Sequence, residues 1–400
     1  MSRTDKKYKV LWGAVVALLF FSPTSAVSQV SNSVIITQPP VQLTNGPNVA
    51  PNGLVPRQVA TAYGFDQLWL RNRGAGQTIG IVDAFDHPEI EKDLGVFDNR
   101  FLLPDCTSAN GCFRQVYATG INPGPPPSDK TVWQYEIALD VEWAHAMAPE
   151  ATILLVEANS DQLSDMMQAV NVAVQNGATV VSMSWGGFEF NQETKFDSSL
   201  VAANVTFVAA AGDFGTGVLY PAASPYVTAV GGTTLNVTVK GNYLGETAWS
   251  GSGGGLSQYE SEPTYQSLFN IPADSKNRRG VPDVAYDADP DTGFTLFTTL
   301  PLVGWFEFGG TSAGAPQWAA LMAISDSLRV ALGKAPLSGA NAALYSAATS
   351  DYSGTYNDVT SGSNGTCGVP VCTAVPGYDY ITGLGSPKAL NVANALANAP

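Results

Sequence analysis

Five apolar runs of strand length recur between residues 77 and 233, separated by stretches of helical character. They are QTIGIVDAF (77–85), ATILLVEA (151–158), ATVVSMSW (178–185), VTFVAAAG (205–212) and YVTAVGGT (226–233). They are continuously apolar and do not alternate, so both faces of each strand need cover. That is the requirement of a parallel sheet whose crossovers are helices, and residues 131–149, 161–176 and 195–203 read as those helices. The expectation is an α/β fold with a parallel sheet. Beyond residue 235 the text turns Gly-rich and loop-like, until a further helix over 313–332. Residues 27–56, with QPPVQL and NGPNVAPNG, read as an extended lead-in. Residues 57–400 then read as one large domain.

The chain can fill such a fold: 45% of its 400 residues are hydrophobic and only 13% are charged. Its net charge of −15 disfavours a nucleic-acid partner, because phosphate would be repelled. The acidity serves solubility or an acidic setting, and composition does not choose between them. The N-terminus has the order of a secretory signal. Arg3, Lys6, Lys7 and Lys9 precede the apolar run Val10 to Phe21, and Thr24-Ser25-Ala26 offers a cleavage site. The apolar run is short for a membrane span. Loss of residues 1–26 takes the net charge from −15 to −18. The expected product is exported, or periplasmic in a host with an outer membrane, with no stable membrane association. Cys106 with Cys112 and Cys367 with Cys372 form two close pairs, which export allows to become local disulfides. A zinc site of all four is the alternative, and the spacings are wider than C-x2-C.

Candidate chemistry starts at Gly309-Gly310-Thr311-Ser312-Ala313-Gly314-Ala315-Pro316. Glycines allow a sharp turn before Ser312, and small residues after it leave Oγ accessible. A serine hydroxyl needs a base, and the chain has only His87 and His145. Drawn as a helix, residues 131–149 place Glu136 and Asp140 at i, i+4 beside a Trp133, Ile137, Val141 stripe. Two acids beside a buried face share a proton, because both cannot ionise in a desolvated site. Such a pair can act as a base; on spacing alone it can also be a solvated helix edge. His145 falls with Gln134 and Glu142 on the polar arc and reads as a surface histidine. Asp213 follows the 205–212 strand, at the end of the sheet where ligands gather. Kept neutral, it could donate to an oxyanion; a turn cap is the plainer use.

In chain order, the Glu-x-x-x-Asp, Gly-Asp-x-Gly and Gly-Thr-Ser-Ala-x-x-Pro motifs resemble those of the sedolisin family of serine-carboxyl peptidases. YGFDQLW, IVDAFDHPEIEKDL, SWGG, RRGVPDVAYDADPDTGF and GYDYITGLGSP extend the resemblance over about residues 57–398. The resemblance implies a subtilisin-like parallel β-sheet flanked by helices, in a single catalytic domain. It implies Ser312 as nucleophile, Glu136 as general base, Asp140 as its orienting partner and Asp213 as oxyanion acid. Asp83 matches a partner of Glu136. Ser184, Trp185 and Gly186 match the edge that pairs with an extended peptide substrate. Asp358, Val359, Val375, Gly377 and Asp379 match a structural calcium site, the middle three through backbone oxygen. The family usually carries a large folded N-terminal prosegment. Here about thirty residues separate the signal from the catalytic region, too few for a folded domain.

The expectation is therefore a secreted, monomeric endopeptidase that cuts peptides or unfolded proteins in acid. A tripeptidyl-peptidase of the same family is one alternative. A non-catalytic binding protein on the same fold is another, and an esterase is a third that lacks G-x-S-x-G.

Overall fold

A computed structural model describes residues 34–272 and 276–400. The signal-like segment 1–26 lies outside the described residues. In chain order the strands that build the site are β1 (Gln42–Asn48), β2 (Thr78–Ala84), β3 (Phe113–Tyr117), β4 (Thr152–Ala158), β5 (Val180–Met183), β6 (Thr206–Ala210), β7 (Val227–Val237), β8 (Tyr243–Ala248), β9 (Val284–Asp287), β10 (Phe294–Thr298) and β11 (Gly304–Gly309). The main helices are α1 (Ile90–Phe101), α2 (Val132–Met147), α3 (Leu163–Gln175), α4 (Thr311–Ala331) and α5 (Ala389–Asn398).

The main sheet has the order β8-β7-β6-β5-β2-β4-β3, with β9 added beside β7. Every pairing in it is parallel except β8 on β7. This is the parallel sheet expected from the two-sided apolar strands. Helices α2 and α4 cover one face, with Ile137, Val141, Trp318 and Leu321 in one apolar cluster. Helix α3 covers the other, through Met166, Val170 and Ala173. A smaller antiparallel sheet, β1-β11-β10, lies outside α2 and delivers the chain into α4. Among the described residues no helix is long and apolar enough to cross a membrane.

Three local expectations change. Residues 195–203 form no α-helix; short 3-10 turns stand at Glu193–Lys195 and Asp197–Leu200. The Gly-rich text after residue 235 contains strands, among them β8, β9, β10 and β11, too short to show alternation in the sequence. His145 is buried, not at the surface. The helical wheel assumes one buried face, but α2 packs against α4, α1, β2 and β10 at once. Its polar arc is therefore enclosed: Glu142 accepts from the Phe297 N–H (3.1 Å), and His145 Nε2 meets the Pro104 carbonyl (2.9 Å).

Candidate active site

Parallel topology brings the first components together. Asp83 lies near the end of β2, Ser184 follows β5 and Asp213 follows β6, and these three strands are neighbours in the sheet. Their C-terminal ends face one place, as expected for an open parallel sheet. Helices α2 and α4 lie side by side on the sheet, so Glu136 and Asp140 meet the start of α4, where Ser312 stands. The turn into α4 requires glycine at 310, where φ is 119°. A Cβ there would stand 2.2 Å from the Pro40 carbonyl oxygen and 2.5 Å from Asp213 Oδ2. Pro316 has no N–H, so it leaves the Ser312 carbonyl without its helical donor. The Ser184 hydroxyl lies 3.3 Å from that carbonyl and 2.9 Å from Asp140 Oδ1. A hydroxyl has one proton, so both contacts are good together only when a protonated Asp140 donates to Ser184 Oγ.

The electrostatics agree with that count. Burial raises Glu136 well above the usual carboxyl range, and Asp140 and Asp83 raise it further; the Ser312 hydroxyl pulls it down. Burial raises Asp140 strongly, opposed by hydrogen bonding from Ser184 and Glu136. Burial and the charge of Asp140 raise Asp83. All three acids and Ser312 are fully buried. Neither oxygen of Glu136 completes a hydrogen bond of normal geometry, and the Ser312 hydroxyl turns to the Ser184 carbonyl at 3.5 Å. Ser312 and Glu136 are thus near neighbours not yet aligned, a common condition before substrate binds. Both histidines are committed elsewhere. His87 bonds Thr298 (3.0 Å), His145 bonds Pro104, and burial lowers each to about 4.

Asp213 stands on the other side of the Ser312 turn. Its Oδ1 accepts from the Thr311 N–H (2.8 Å) and hydroxyl (3.0 Å), and the Thr311 hydroxyl oxygen accepts from the Gly212 N–H (2.9 Å). Unlike those of Ser184, these contacts do not compete: the Thr311 hydroxyl gives its one proton to Asp213 and accepts from Gly212. Burial pushes Asp213 up to about 8, against the pull of those Thr311 donors and of Gln42. A neutral Asp213 with one oxygen held by Thr311 keeps its other oxygen, Oδ2, to carry a proton toward Gly310.

The remaining predicted residues divide. The backbone of Gly186 is paired in both directions with Gln38 (2.9 and 3.1 Å), so this edge does hold an extended segment. The Trp185 side chain is turned into the core instead, where its N–H donates to the Val82 carbonyl (2.8 Å). Ser184 is split between a carbonyl beside Ser312 and a hydroxyl on Asp140. Cys106–Cys112 and Cys367–Cys372 are disulfides, which removes the zinc alternative. Asp358 accepts from the Gly377 N–H (3.1 Å) and Asp379 from the Val375 N–H (3.3 Å), so one loop lies between the two acids. Burial raises both, Asp379 to about 6. Their donors are neutral N–H and O–H groups, so the excess of negative oxygen fits a hard cation.

Two contributors went unassigned from sequence. Thr311, inside the same motif as Ser312, fixes Asp213. The lead-in also enters the site: the Ser312 N–H reaches the Pro40 carbonyl at 3.3 Å, and Gln42 lies near enough to Asp213 to pull it down. The proline pair at 39–40 marks this stretch as extended, and nothing in it marks where it lies.

The model of the subtilase family matches residues 131–360. Kumamolisin of Bacillus sp. (strain MN-32) is 33% identical over 389 residues, covering 87% of this chain and 64% of the relative. Sedolisin of Pseudomonas sp. (strain 101) is 30% identical over 351 residues, covering 78% of this chain and 56% of the relative. The chain thus spans about three fifths of the length of these relatives. The solved structure of Pseudomonas sedolisin, a serine-carboxyl proteinase complexed with two molecules of pseudo-iodotyrostatin, superposes with a TM-score of 0.72. There the identity is 28%, and coverage is 86% of this chain and 98% of that one.

Proposed function

The chain belongs to the sedolisin family of serine-carboxyl peptidases, with the fold of the wider subtilase family, and from that premise we propose that it is an acid-acting endopeptidase with Ser312 as its nucleophile. One observation carries the reading: three buried carboxyls stand beside a serine at a helix N-terminus, and a fourth, raised by burial to about 8, stands across from them.

In this mechanism Glu136 takes the Ser312 proton as Oγ attacks the peptide carbonyl. The oxyanion forms between the Ser312 N–H and the proton on Asp213. Glu136 then protonates the leaving nitrogen, and water hydrolyses the ester on Ser312 by the same route reversed. The working base is the carboxyl cluster one proton short of full, its single charge held by its protonated neighbours. Below the first ionisation there is no base. Near pH 8, where Asp213 loses its proton, the oxyanion would face a second negative charge. A carboxyl base suits acid, where imidazole is already protonated. Ser184 keeps Asp140 turned toward Glu136, and Asp83 closes the cluster from the strand side.

The endopeptidase reading draws support from the cleft. Residues 35–40 lie along Gln162 and Gly186 and occupy more than three positions before Ser312, more than a cleft closed for tripeptide release would hold. Export draws support from the basic-then-apolar N-terminus and the two disulfides. A calcium ion would be held by Asp358, Asp379 and the carbonyls of Val359, Val375 and Gly377. It would supply structural cross-linking, not chemistry. A chelator at pH 6 should lower the melting temperature and added calcium restore it; an unmoved melt removes the site.

The function is tested by digesting a denatured protein mixture between pH 3 and pH 8 and mapping the cuts by mass spectrometry. The expected result is internal cleavage, highest below about pH 6 and absent in Ser312→Ala. A neutral or alkaline optimum, or removal of tripeptides only, contradicts the reading.

A further inference from the structure

Two phenylalanines stand in solvent at the edge of the site. Phe188 is 70% exposed and Phe214 is 62% exposed. Their ring centroids lie 5.9 Å apart with the planes tilted by 39°, the spacing of an aromatic pair. Single exposed apolar side chains are ordinary, but two large ones paired in water beside catalytic groups call for an occupant. Their attachment says which. Phe214 directly follows Asp213, and Phe188 lies two residues past Gly186, on the edge that holds extended chain. Gly187–Phe188 pairs antiparallel with Leu219–Tyr220, with Phe188 opposite Leu219, so these two side chains share a face. Leu219 also spans the gap between that edge and the Asp213 turn. A Cβ at Gly186 would stand 3.1 Å from Leu219 Cβ, and one at Gly212 would stand 2.6 Å from Leu219 Cδ1. Leu219 is thus an apolar floor between glycine walls, with the rings beside it. The neighbouring Glu189 is engaged elsewhere, where its carboxylate accepts from the Gln258 N–H (3.0 Å) and the Ser257 hydroxyl.

A substrate carbonyl held between the Ser312 N–H and Asp213 puts its carbon at Ser312 Oγ. The N–H of the same residue then faces the Ser184 carbonyl, which lies 3.5 Å from that Oγ. Its side chain is left the space between residues 184–188 and 212–214. We propose that Phe188 and Phe214 grip that side chain, so that the enzyme cuts after aromatic and long apolar residues: Phe, Tyr, Trp, Leu and Met. The inference rests on the peptidase reading above and supplies its substrate class. In the free enzyme the rings face water. A substrate ring laid against them and over Leu219 removes apolar surface on both partners at once. An alanine side chain is too short to reach the rings. An ammonium or carboxylate would give up its water for neighbours that offer it no hydrogen bond. Because Phe214 adjoins Asp213, a gripped side chain also holds its own carbonyl against the oxyanion donors. Part of the selection therefore appears in kcat and not only in KM.

The test uses the full chain in acid and a set of peptides of one sequence that differ at a single position, Phe, Leu, Ala or Lys, with the cut bond identified by mass spectrometry. The expected result is cleavage directly after the varied residue, with kcat/KM for Phe about a hundredfold above Ala and Lys at or below Ala. Phe214→Ala and Phe188→Ala should each lower the Phe-to-Ala ratio about tenfold, with the loss shared between kcat and KM. Phe214→Tyr, which keeps the ring, should restore the ratio. A parent that digests an added denatured protein but cuts the Phe and Ala peptides within about threefold of each other, or cuts none of the peptides, overturns the grip and leaves the peptidase reading standing. So does a Phe214→Ala protein that slows every peptide by the same factor, since that is loss of positioning and not of selection. A parent that cuts neither the peptides nor the added protein overturns both.

Discussion

Glu136→Gln should lower kcat by about a thousandfold or more and leave KM within a few-fold. The substitution keeps the shape of the side chain and removes its ability to take a proton. Glu136 is fully buried, so no solvent carboxylate or water can replace it without opening the site. Neither histidine can substitute, since both are buried with other partners and lowered to about 4. Ser312→Ala should lose a similar factor. The double variant should lose little more than either single one, because a nucleophile and its base act as a unit. Stability supplies the control. Glu136 is raised by burial and by Asp140 and Asp83, so replacing it with a neutral amide relieves repulsion, and the variant should melt no lower than the parent. A Glu136→Gln protein that is folded and within tenfold of parental kcat would falsify the carboxyl-base assignment.

Much of this was legible in the chain because the relevant signals are strong and local. A strand apolar on both faces has few places to go other than a covered parallel sheet, and β2, β4, β5, β6 and β7 went there. Glu136 and Asp140 were legible as a pair because four residues make one helical turn. Their meeting with Ser312 was carried by motif order, since no spacing connects residue 136 to residue 312. The misreadings share a cause. His145, on the polar arc with Glu142, was assigned to the surface because periodicity reports how polar a face is, not what covers it. Residues 35–40 read as extended chain, but their place beside Ser312 was invisible, because extended chain held by backbone bonds imposes no side-chain pattern. Asp213 shows the limit most sharply. In sequence it is a turn aspartate between glycines. What raises it to about 8 is burial beneath the Ser312 turn, which only the fold supplies.

The same buried acids should make the fold fail as pH rises. Asp98, Glu157 and Asp213 are each raised to about 8 by burial, against about 4 in an unfolded chain. Between those values the folded state binds more protons than the unfolded state, so stability falls with increasing pH. The stabilisation is complete below about pH 4 and is lost as pH climbs through about 8. His87 and His145 act oppositely. Lowered to about 4 from about 6.5, they favour the folded state as pH rises, but only across that interval. From pH 4 to 6.5 two histidines therefore offset most of these three acids, while Glu193, Glu260 and Asp326, raised by burial to about 9, 7 and 7, add to the decline. Above pH 6.5 the offset ends. Three groups at about 1.4 kcal/mol per unit each remove roughly 6 kcal/mol by pH 8, a large part of an ordinary stability of about 5–15 kcal/mol. Asp83, Glu136, Asp140 and Glu142 are raised in the same direction and steepen the fall. Thermal melts at constant ionic strength should thus fall already between pH 4 and 6, and more steeply, by about ten degrees or more, between pH 6.5 and 8. Glu157→Gln should flatten that drop, since one titrating group is gone. A melting temperature that climbs steadily from pH 4 to 8 would mean that these carboxyls are ionised in the folded protein, and a neutral Asp213 could then not serve the oxyanion.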